Sequence, residues 1–340
     1  MSDSPPILFI VRASMRDGLG HLVRSLCVLR ELLPLAPIHL VLLGDGSGSH
    51  LVEAAGVPCT RCETDDAAEA EALRQKARVV VFDTLRFEDA AFTRIANAKV
   101  TVSLSPVFSI MNRVDHLFHR TEKESPAWNR SGPFPKVHKG LRYAVLPSWL
   151  KRVSTQNYRE QLQEDKLAVA ISMGGTDAPN RTLALLKLFG KCPVRLVLFV
   201  ALGDAYTHSY EELLVTAEHN RQEVILLKSN ESMWRVLKNA SLLLCAGGLT
   251  TYEAAYIGLP SINILQHAEW AYLFEELVER GACLTFPPIE SSLEMAVDRV
   301  CQFERQRNDL LLMHQATKRL IPGNGARRVA KHVAQLAHAR

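Results

Sequence analysis

Three glycine-containing loops hold the residues of this chain whose types and spacing could do chemistry. Each loop follows an apolar run typical of a buried strand and leads into a segment with helical periodicity. Glycines let the backbone approach an oxyanion closely, while free N–H groups at the start of a helix attract its charge. The pattern predicts a phosphate site at strand ends, with threonine hydroxyls as further donors and a glutamate placed to hold ribose hydroxyls. The loops contain Gly18, Gly20, His21 and Arg24; Gly174, Gly175, Thr176 and Asp177; and Gly247, Gly248, Leu249, Thr250, Thr251 and Glu253.

The composition is that of an ordinary globular protein with more than one domain. The chain has 340 residues, of which 47% are hydrophobic and 22% are charged. Domains usually contain roughly 100–150 residues, so two domains are expected. The formal net charge is only +4, and no long run of lysine and arginine occurs. Nucleic acid is therefore not an expected partner.

The cysteines and the apolar segments bear on location and on metal binding. The seven cysteines form an odd, scattered set, which predicts reduced thiols in a cytoplasmic protein. Cys59 and Cys62 form an isolated C-x-x-C pair, and because zinc needs four ligands we expect no metal site there. No segment approaches the roughly 20 apolar residues of a membrane span. Peripheral contact with a membrane surface stays an open alternative.

Strand-like and helix-like segments alternate along both halves of the chain, which predicts two parallel sheets covered by helices. The polar segment 151–166 is the expected connection between the halves. We therefore predict an N-terminal Rossmann-like domain over residues 1–150 and a second one over residues 167–325. A last helical segment, 326–340, is expected to pack back on the first domain.

Four motifs in order along residues 7–285 resemble those of a known group of enzymes. They are similar to motifs of the UDP-sugar hydrolases of pseudaminic acid biosynthesis and of related spore-coat polysaccharide proteins. The peptidoglycan N-acetylglucosaminyltransferase resembles the chain more distantly, through the first and last motifs. The motifs are G-x-G-H-x-x-R at Gly18, Gly20, His21 and Arg24; G-x-x-Y-A-x-L at Gly140, Tyr143, Ala144 and Leu146; I-S-x-G-G-x-D at Ile171, Ser172, Gly174, Gly175 and Asp177; and G-G-x-T-x-x-E at Gly247, Gly248, Thr250 and Glu253.

The resemblance implies the GT-B architecture, in which two Rossmann-like domains face a cleft that binds a UDP-sugar without a catalytic metal or other cofactor. The glycine loops of the second domain would line the diphosphate, and Glu253 would meet the ribose. His21 would face the anomeric carbon, where inversion needs a base on the attacking oxygen and a near-neutral imidazole suits that task. Arg24 lies one helical turn after His21 on the same face.

Each of these residues also has a simpler interpretation. His21 could cap or pack the start of its helix, and Arg24 could only pair with a carboxylate. Asp177 could cap the helix that follows it. Glu253 could lie on the helix surface.

Several positions depart from the hydrolase pattern. Asp83, a candidate catalytic residue, is retained, but Leu85 stands where the hydrolases carry a tyrosine, and Leu104-Ser105-Pro106 replaces an acidic pair. Glu269-Trp270 stands where they carry Asn-Gln, while Gln266-His267 is similar to a pair in the transferase. These changes favour transfer to an acceptor hydroxyl over transfer to water. Hydrolysis is the alternative, and a non-catalytic nucleotide-sugar-binding protein is a third.

Overall fold

Thirteen strands and thirteen α-helices are present in the residues described by the computed structural model, which are 5–128, 130–203, 205–228 and 233–338. The strands are β1 Ile7–Arg12, β2 Ile38–Leu43, β3 Cys59–Cys62, β4 Val79–Asp83, β5 Val100–Ser103, β6 His116–His119, β7 Lys136–Lys139, β8 Leu167–Ser172, β9 Leu196–Leu202, β10 Glu223–Lys228, β11 Leu242–Cys245, β12 Ser261–Ile264 and β13 Cys283–Phe286. The helices are α1 Gly20–Leu32, α2 Ser49–Ala55, α3 Asp65–Arg74, α4 Asp89–Ala96, α5 Thr155–Gln163, α6 Arg181–Phe189, α7 Tyr210–Glu218, α8 Met233–Leu237, α9 Leu249–Ile257, α10 Tyr272–Glu279, α11 Ser292–Arg305, α12 Arg307–Thr317 and α13 Gly325–His338.

The chain divides into two units, the first formed by Met1–Ser148 with Gly323–Arg340 and the second by Trp149–Pro322. The first unit is built on a parallel seven-stranded sheet in the order β3-β2-β1-β4-β5-β6-β7. Its central strands β1 and β4 are apolar except for their last residues, because helices cover both faces of the sheet. Residues Ile7–Val11 of β1, for example, are fully buried.

Helix α13 packs against α1 in this first unit, although it is the last helix of the chain. Its apolar face, which includes Val329 and Val333, is fully buried in the same core as β1. The helix begins at Gly325, where a Cβ atom would come within 2.0 Å of the carbonyl oxygen of Ala144. Only glycine allows this close approach, which joins the start of α13 to the segment after β7.

The second unit is built on a parallel six-stranded sheet in the order β10-β9-β8-β11-β12-β13. The polar segment 151–166, expected to be a connection, contains helix α5 and belongs to this unit. Ser154 caps the helix by accepting a hydrogen bond from the backbone N–H of Asn157. Tyr158 anchors it, because its ring stacks on His314 and its hydroxyl donates to the carbonyl of Ser241.

Two of the seven cysteines are joined, which corrects the expectation that all are reduced thiols. Cys192, after α6, forms a disulfide with Cys301 in α11, 109 positions later in the chain. Both side chains are buried in the core of the second unit. Sequence spacing cannot show such a pairing, because α6 and α11 become neighbours only through packing on the same sheet.

None of the helices within the described ranges is long and apolar enough to cross a membrane.

Both sheets have one place where the direction of winding reverses. In the first unit, β1 lies beside β4, and successive strands run outward from this pair in opposite directions. In the second unit, the corresponding pair is β8 and β11. Loops leaving such a pair diverge to opposite faces of the sheet, so a crevice opens at the carboxyl ends of the two strands. The glycine-containing loops follow three of these four strands, and Asp83 ends the fourth.

Candidate functional site

The loop after β1 and the end of β4 bring His21, Arg24 and Asp83 together in the first unit. Val11 pairs with Asp83 in the sheet, so the loop that begins just after β1 passes over the end of β4. His21 Nδ1 lies 2.6 Å from Asp83 Oδ1. Arg24 donates to both carboxylate oxygens of Asp83, with Nε at 2.9 Å from Oδ2 and a second bond from Nη2 to Oδ1. Ser25 Oγ also donates to Oδ2, at 2.8 Å.

Asp83 is fully buried and is held as a carboxylate. Burial by itself raises the pKa of Asp83, but the guanidinium of Arg24 and the imidazole of His21 outweigh it and lower the pKa well below its usual range. A carboxylate can only accept hydrogen bonds, so His21 Nδ1 must carry the proton in this pair. The 3.0 Å contact of Arg24 Nη2 with the same nitrogen is then a contact between two donors and not a hydrogen bond.

This network gives His21 a defined tautomer. With the proton on Nδ1, the lone pair of the neutral ring lies on Nε2, which is the form of a general base oriented by a carboxylate. The ring is 15% exposed. The N-cap of α1 is Leu19, and no side chain makes a capping hydrogen bond there. The interpretation of His21 as a helix cap is therefore wrong. Arg24 does pair with a carboxylate, as its simpler interpretation predicted.

Polar side chains hold the loop between β1 and α1 in place. Ser14 Oγ donates to Asp17 at 2.7 Å and accepts from the backbone N–H of Asp17. Arg86, just beyond β4, forms an ion pair with Asp17 at 2.7 Å. Gly20 is the first residue of α1 and does not have a positive φ, and a Cβ atom there would meet nothing within 4 Å. The fold of this unit therefore does not require glycine at position 20.

In the second unit, the loops after β8 and β11 start side by side, because Ser172 pairs with Cys245 at the ends of these strands. Gly248 has φ 87° and ψ −151°, a conformation accessible almost only to glycine, and it precedes the first residue of α9. A Cβ atom at Gly174 or Gly248 would meet nothing within 4 Å. The two loops thus present backbone next to open space, at the start of a nine-residue helix.

Glu253 lies one turn into α9 and is buried, so it is not a residue of the helix surface. Its Oε2 accepts a hydrogen bond of 2.9 Å from Trp234 Nε1. Burial raises the pKa of Glu253 to about 7, and the bond from Trp234 only partly opposes this effect. A buried carboxyl group with one donor among the described residues retains capacity for further hydrogen bonds, as a ribose-binding residue must.

Two residues expected in the diphosphate site direct their side chains to other partners. Thr251 is fully buried, and its hydroxyl donates to Asn263 Oδ1 at 2.7 Å. Asp177 accepts from the backbone N–H groups of Arg181 and Thr182, so it caps α6 as its structural alternative proposed. The remaining loop residues are at least partly exposed, and they are Gly174, Gly175, Thr176, Gly247, Gly248, Leu249 and Thr250.

Gln266, His267 and Glu269 follow β12, the strand next to β11. All three side chains are exposed. His267 Nδ1 and Glu269 Oε1 are 3.8 Å apart, a weak surface pair. The structure therefore brings them to the correct edge of the sheet, and a role in binding stays a prediction.

The sequence analysis did not identify four residues of these sites. Ser25 lies one turn after His21 on α1, so helical spacing could have indicated it. Trp234 and Asn263 reach Glu253 and Thr251 only through tertiary packing. Arg181 donates to the backbone carbonyls of Ile264 and Leu265, which fastens the end of β12 to the start of α6.

The fold is that of the GT-B enzymes, in which two Rossmann-like domains form one chain, and this prediction is confirmed by solved structures. MurG of Acinetobacter baumannii has a TM-score of 0.69 and 15% identity, over 97% of this chain and all of that one. HepE of Anabaena, solved in complex with UDP, has a TM-score of 0.63 at 15% identity, over 97% of this chain and 100% of that one. At such identities the likeness shows the fold alone.

Two proteins are similar to the chain in sequence, and one of them takes part in polysaccharide biosynthesis. The chain is 22% identical to the spore coat polysaccharide biosynthesis protein SpsG of Bacillus subtilis over 202 residues, which cover 57% of each protein. It is 20% identical over 270 residues to an uncharacterized protein of Methanocaldococcus jannaschii, MJ1062, over 77% of this chain and 56% of that one. No family model matches the chain. The chain spans a little over half the length of these relatives, and the predicted resemblance to the spore-coat proteins is confirmed.

Proposed function

We propose that this protein cleaves the anomeric C–O bond of a UDP-sugar with inversion and transfers the sugar to an acceptor hydroxyl, in the synthesis of a polysaccharide or other glycan. The observation that carries the proposal is the hydrogen-bonded set of His21, Asp83 and Arg24 at the reversal point of the first sheet. An imidazole oriented by a buried carboxylate is suited to take a proton from the attacking hydroxyl as the new bond forms.

The second unit would bind the nucleotide. A protein of the same fold supports this choice, since HepE was solved with UDP and with UDP-glucose. Backbone N–H groups of the two glycine loops would surround the diphosphate, and the start of α9 would add its positive end. These groups would stabilise the negative charge on the departing UDP. In some other enzymes a metal ion stabilises this charge.

Hydrolysis is the second candidate, because the sequence relation to SpsG lies within the group that the motifs resemble. The two reactions are separated by incubating the protein with UDP-, dTDP-, GDP- and CMP-sugars, with and without cell extract, and following nucleotide release. Release only with extract indicates transfer, and release in buffer alone indicates hydrolysis. Binding without release in either condition would contradict both and support a non-catalytic binding protein.

Glu253→Gln should weaken UDP binding by about 1–3 kcal/mol, because a neutral amide replaces a buried charged acceptor of ribose hydroxyls. Since the pKa of Glu253 is raised to about 7, the free protein carries a largely protonated group below that pH. A ligand that binds only the carboxylate form must then bind more tightly as pH rises, by up to about thirtyfold between pH 5.5 and 8.

Calorimetric titration of UDP at several pH values measures this pH dependence in the wild-type protein. The Glu253→Gln variant, titrated under the same conditions, is the control. UDP titrates in the same range, but that contribution is common to both proteins, so the difference between them isolates Glu253. Equal affinity and equal pH dependence in the two proteins would remove Glu253 from the ribose site.

Turnover should survive an excess of EDTA. The proposed stabilisation of the leaving group uses backbone N–H groups and helix ends, and the chain has no D-x-D sequence of the kind that places two carboxylates on one metal. The measurement is the rate of nucleotide release before and after chelation. Complete loss that magnesium or manganese restores would contradict this part of the mechanism.

A further inference from the structure

Three histidines from three different elements meet at the edge of the first sheet, outside the site described above. His116 begins β6, His138 lies in the edge strand β7, and His332 lies on α13. One ring nitrogen of each lies within 4.8 Å of a ring nitrogen of both others. β6 and β7 are two and three strands away from β4, which carries Asp83. The proposed reaction gives this cluster no role.

From this arrangement we propose that the three histidines bind one divalent transition-metal ion of the zinc class, which ties α13 to the edge strands. Imidazole nitrogens are preferred ligands of Zn²⁺, Ni²⁺ and Cu²⁺. Three histidines form a zinc site when water or another small ligand takes the fourth position. The proposal does not depend on the function proposed for the glycine loops.

The distances suit such an ion. Zinc binds imidazole nitrogens at about 2.0–2.1 Å, so two nitrogens of one tetrahedral site lie about 3.3 Å apart. His116 Nδ1 and His138 Nε2 are 3.1 Å apart. A shift of the third ring by at most about 1.6 Å would complete the geometry, since no ligand distance in the cluster exceeds 4.8 Å.

The ring of His332 supplies a second, independent observation. Its Nε2 is buried and has no hydrogen-bond partner among the described residues. A buried polar nitrogen without a partner costs free energy, and a bound ion or its water ligand would satisfy it. The rings also pack closely, since the centroids of His138 and His332 are 4.2 Å apart.

The three rings lie in a partly buried environment. Burial lowers the pKa of each of them, because it disfavours the charged form of the ring. The nearby charges are mixed. Lys136 and Arg142 disfavour a further positive charge, whereas Asp115, next to His116, favours one. Three neutral nitrogen ligands outweigh this screened repulsion, because coordination acts at bonding distance.

The test titrates the chelator-stripped protein with Zn²⁺, followed by calorimetry and by thermal unfolding. We expect one ion per chain with micromolar or tighter affinity and a rise of several degrees in Tm, since the ion binds only the folded unit. His332→Gln and His116→Gln should each lower the affinity at least about 100-fold and abolish the rise in Tm. Nucleotide release from the donor should stay unchanged in both variants, because neither residue belongs to the proposed reaction.

Three matched variants exclude other ligands. His50 is an exposed histidine of the same unit, Cys59 is the exposed thiol of the C-x-x-C pair, and His21 belongs to the proposed reaction site. His50→Gln, Cys59→Ser and His21→Gln should all retain wild-type zinc affinity. In the wild-type protein, Zn²⁺ should shift the NMR ring signals of three of the twelve histidines, a readout that needs no variant to fold.

Binding no tighter than millimolar would overturn the proposal. Tight binding that persists in His332→Gln and His116→Gln would also overturn it, as would tight binding that is lost in Cys59→Ser or His21→Gln.

Discussion

Replacing His21 by glutamine should lower kcat by roughly 10²–10⁴-fold while leaving UDP affinity nearly unchanged. Glutamine cannot take the proton of an attacking hydroxyl, so the reaction loses its general base. The nucleotide would be bound by the second unit, whereas His21 belongs to the first.

The measurements are the rate of nucleotide release with the donor identified by the panel, and UDP binding by calorimetry. His50→Gln changes an exposed histidine of α2 in the same unit and should alter neither quantity. A purely structural His21 would give the opposite pattern, with a lower Tm and near-normal turnover of the folded fraction. That pattern would leave this fold without an identified base.

The glycine loops could be located from sequence because their signal is local. A buried apolar run, then glycines, then helical periodicity places a loop at the carboxyl end of a parallel strand. Sequence alone does not show which strands are neighbours. The adjacency of β8 and β11, which brings two loops together, follows from packing over about 70 residues of intervening chain. Chain length and the alternation of strands and helices predicted two α/β domains, and the resemblance to known enzymes added the GT-B architecture.

Side-chain direction was the part that sequence could not supply. Thr250 and Thr251 are equivalent as sequence, but the helical turn directs Thr251 into the core, where Asn263 binds its hydroxyl. Glu253 lies on a buried face for the same reason. Its partner Trp234 comes from α8, a helix of five residues whose short pattern gives no tertiary information.

The segment 151–166 contains helix α5, although its polar composition is typical of a connection. A helix with one buried aromatic residue resembles a connection when it is read for apolar periodicity. The capping pattern was the available signal, since Ser154 stands before Thr155–Gln163 and binds the N–H three residues later. Tyr158 then provides enough burial to hold the helix against the second unit.

Asp83→Asn should lower kcat by roughly 10²–10⁴-fold, and also lower stability. The amide group that replaces one carboxylate oxygen is a donor. Facing His21 Nδ1, it would favour the tautomer with the proton on Nε2, which cannot act as a base. The guanidinium of Arg24 would lose the charge that compensates it in the core. Breaking a buried ion pair in this way typically costs about 3–5 kcal/mol.

The pH dependence has a definite sign. The folded pKa of Asp83 is lowered below the ordinary value of 3.8, so the ion pair contributes its stability above that value and loses it as pH falls toward the folded pKa. Thermal unfolding of the wild-type protein should therefore show a loss of Tm at strongly acid pH that Asp83→Asn does not share.

A second change separates the catalytic role of Asp83 from its structural role. Adding Arg24→Met to Asp83→Asn removes the uncompensated guanidinium and should recover much of the lost Tm, because a paired loss of buried charge is often nearly neutral. Turnover should stay low in the double variant, since the tautomer of His21 is still unfixed. Ser25→Ala is the matched control. It removes one hydrogen bond to the same carboxylate, should cost about 1 kcal/mol and should keep the activity. If the double variant recovers turnover together with Tm, Asp83 serves only to neutralise Arg24, and His21 does not need a carboxylate partner.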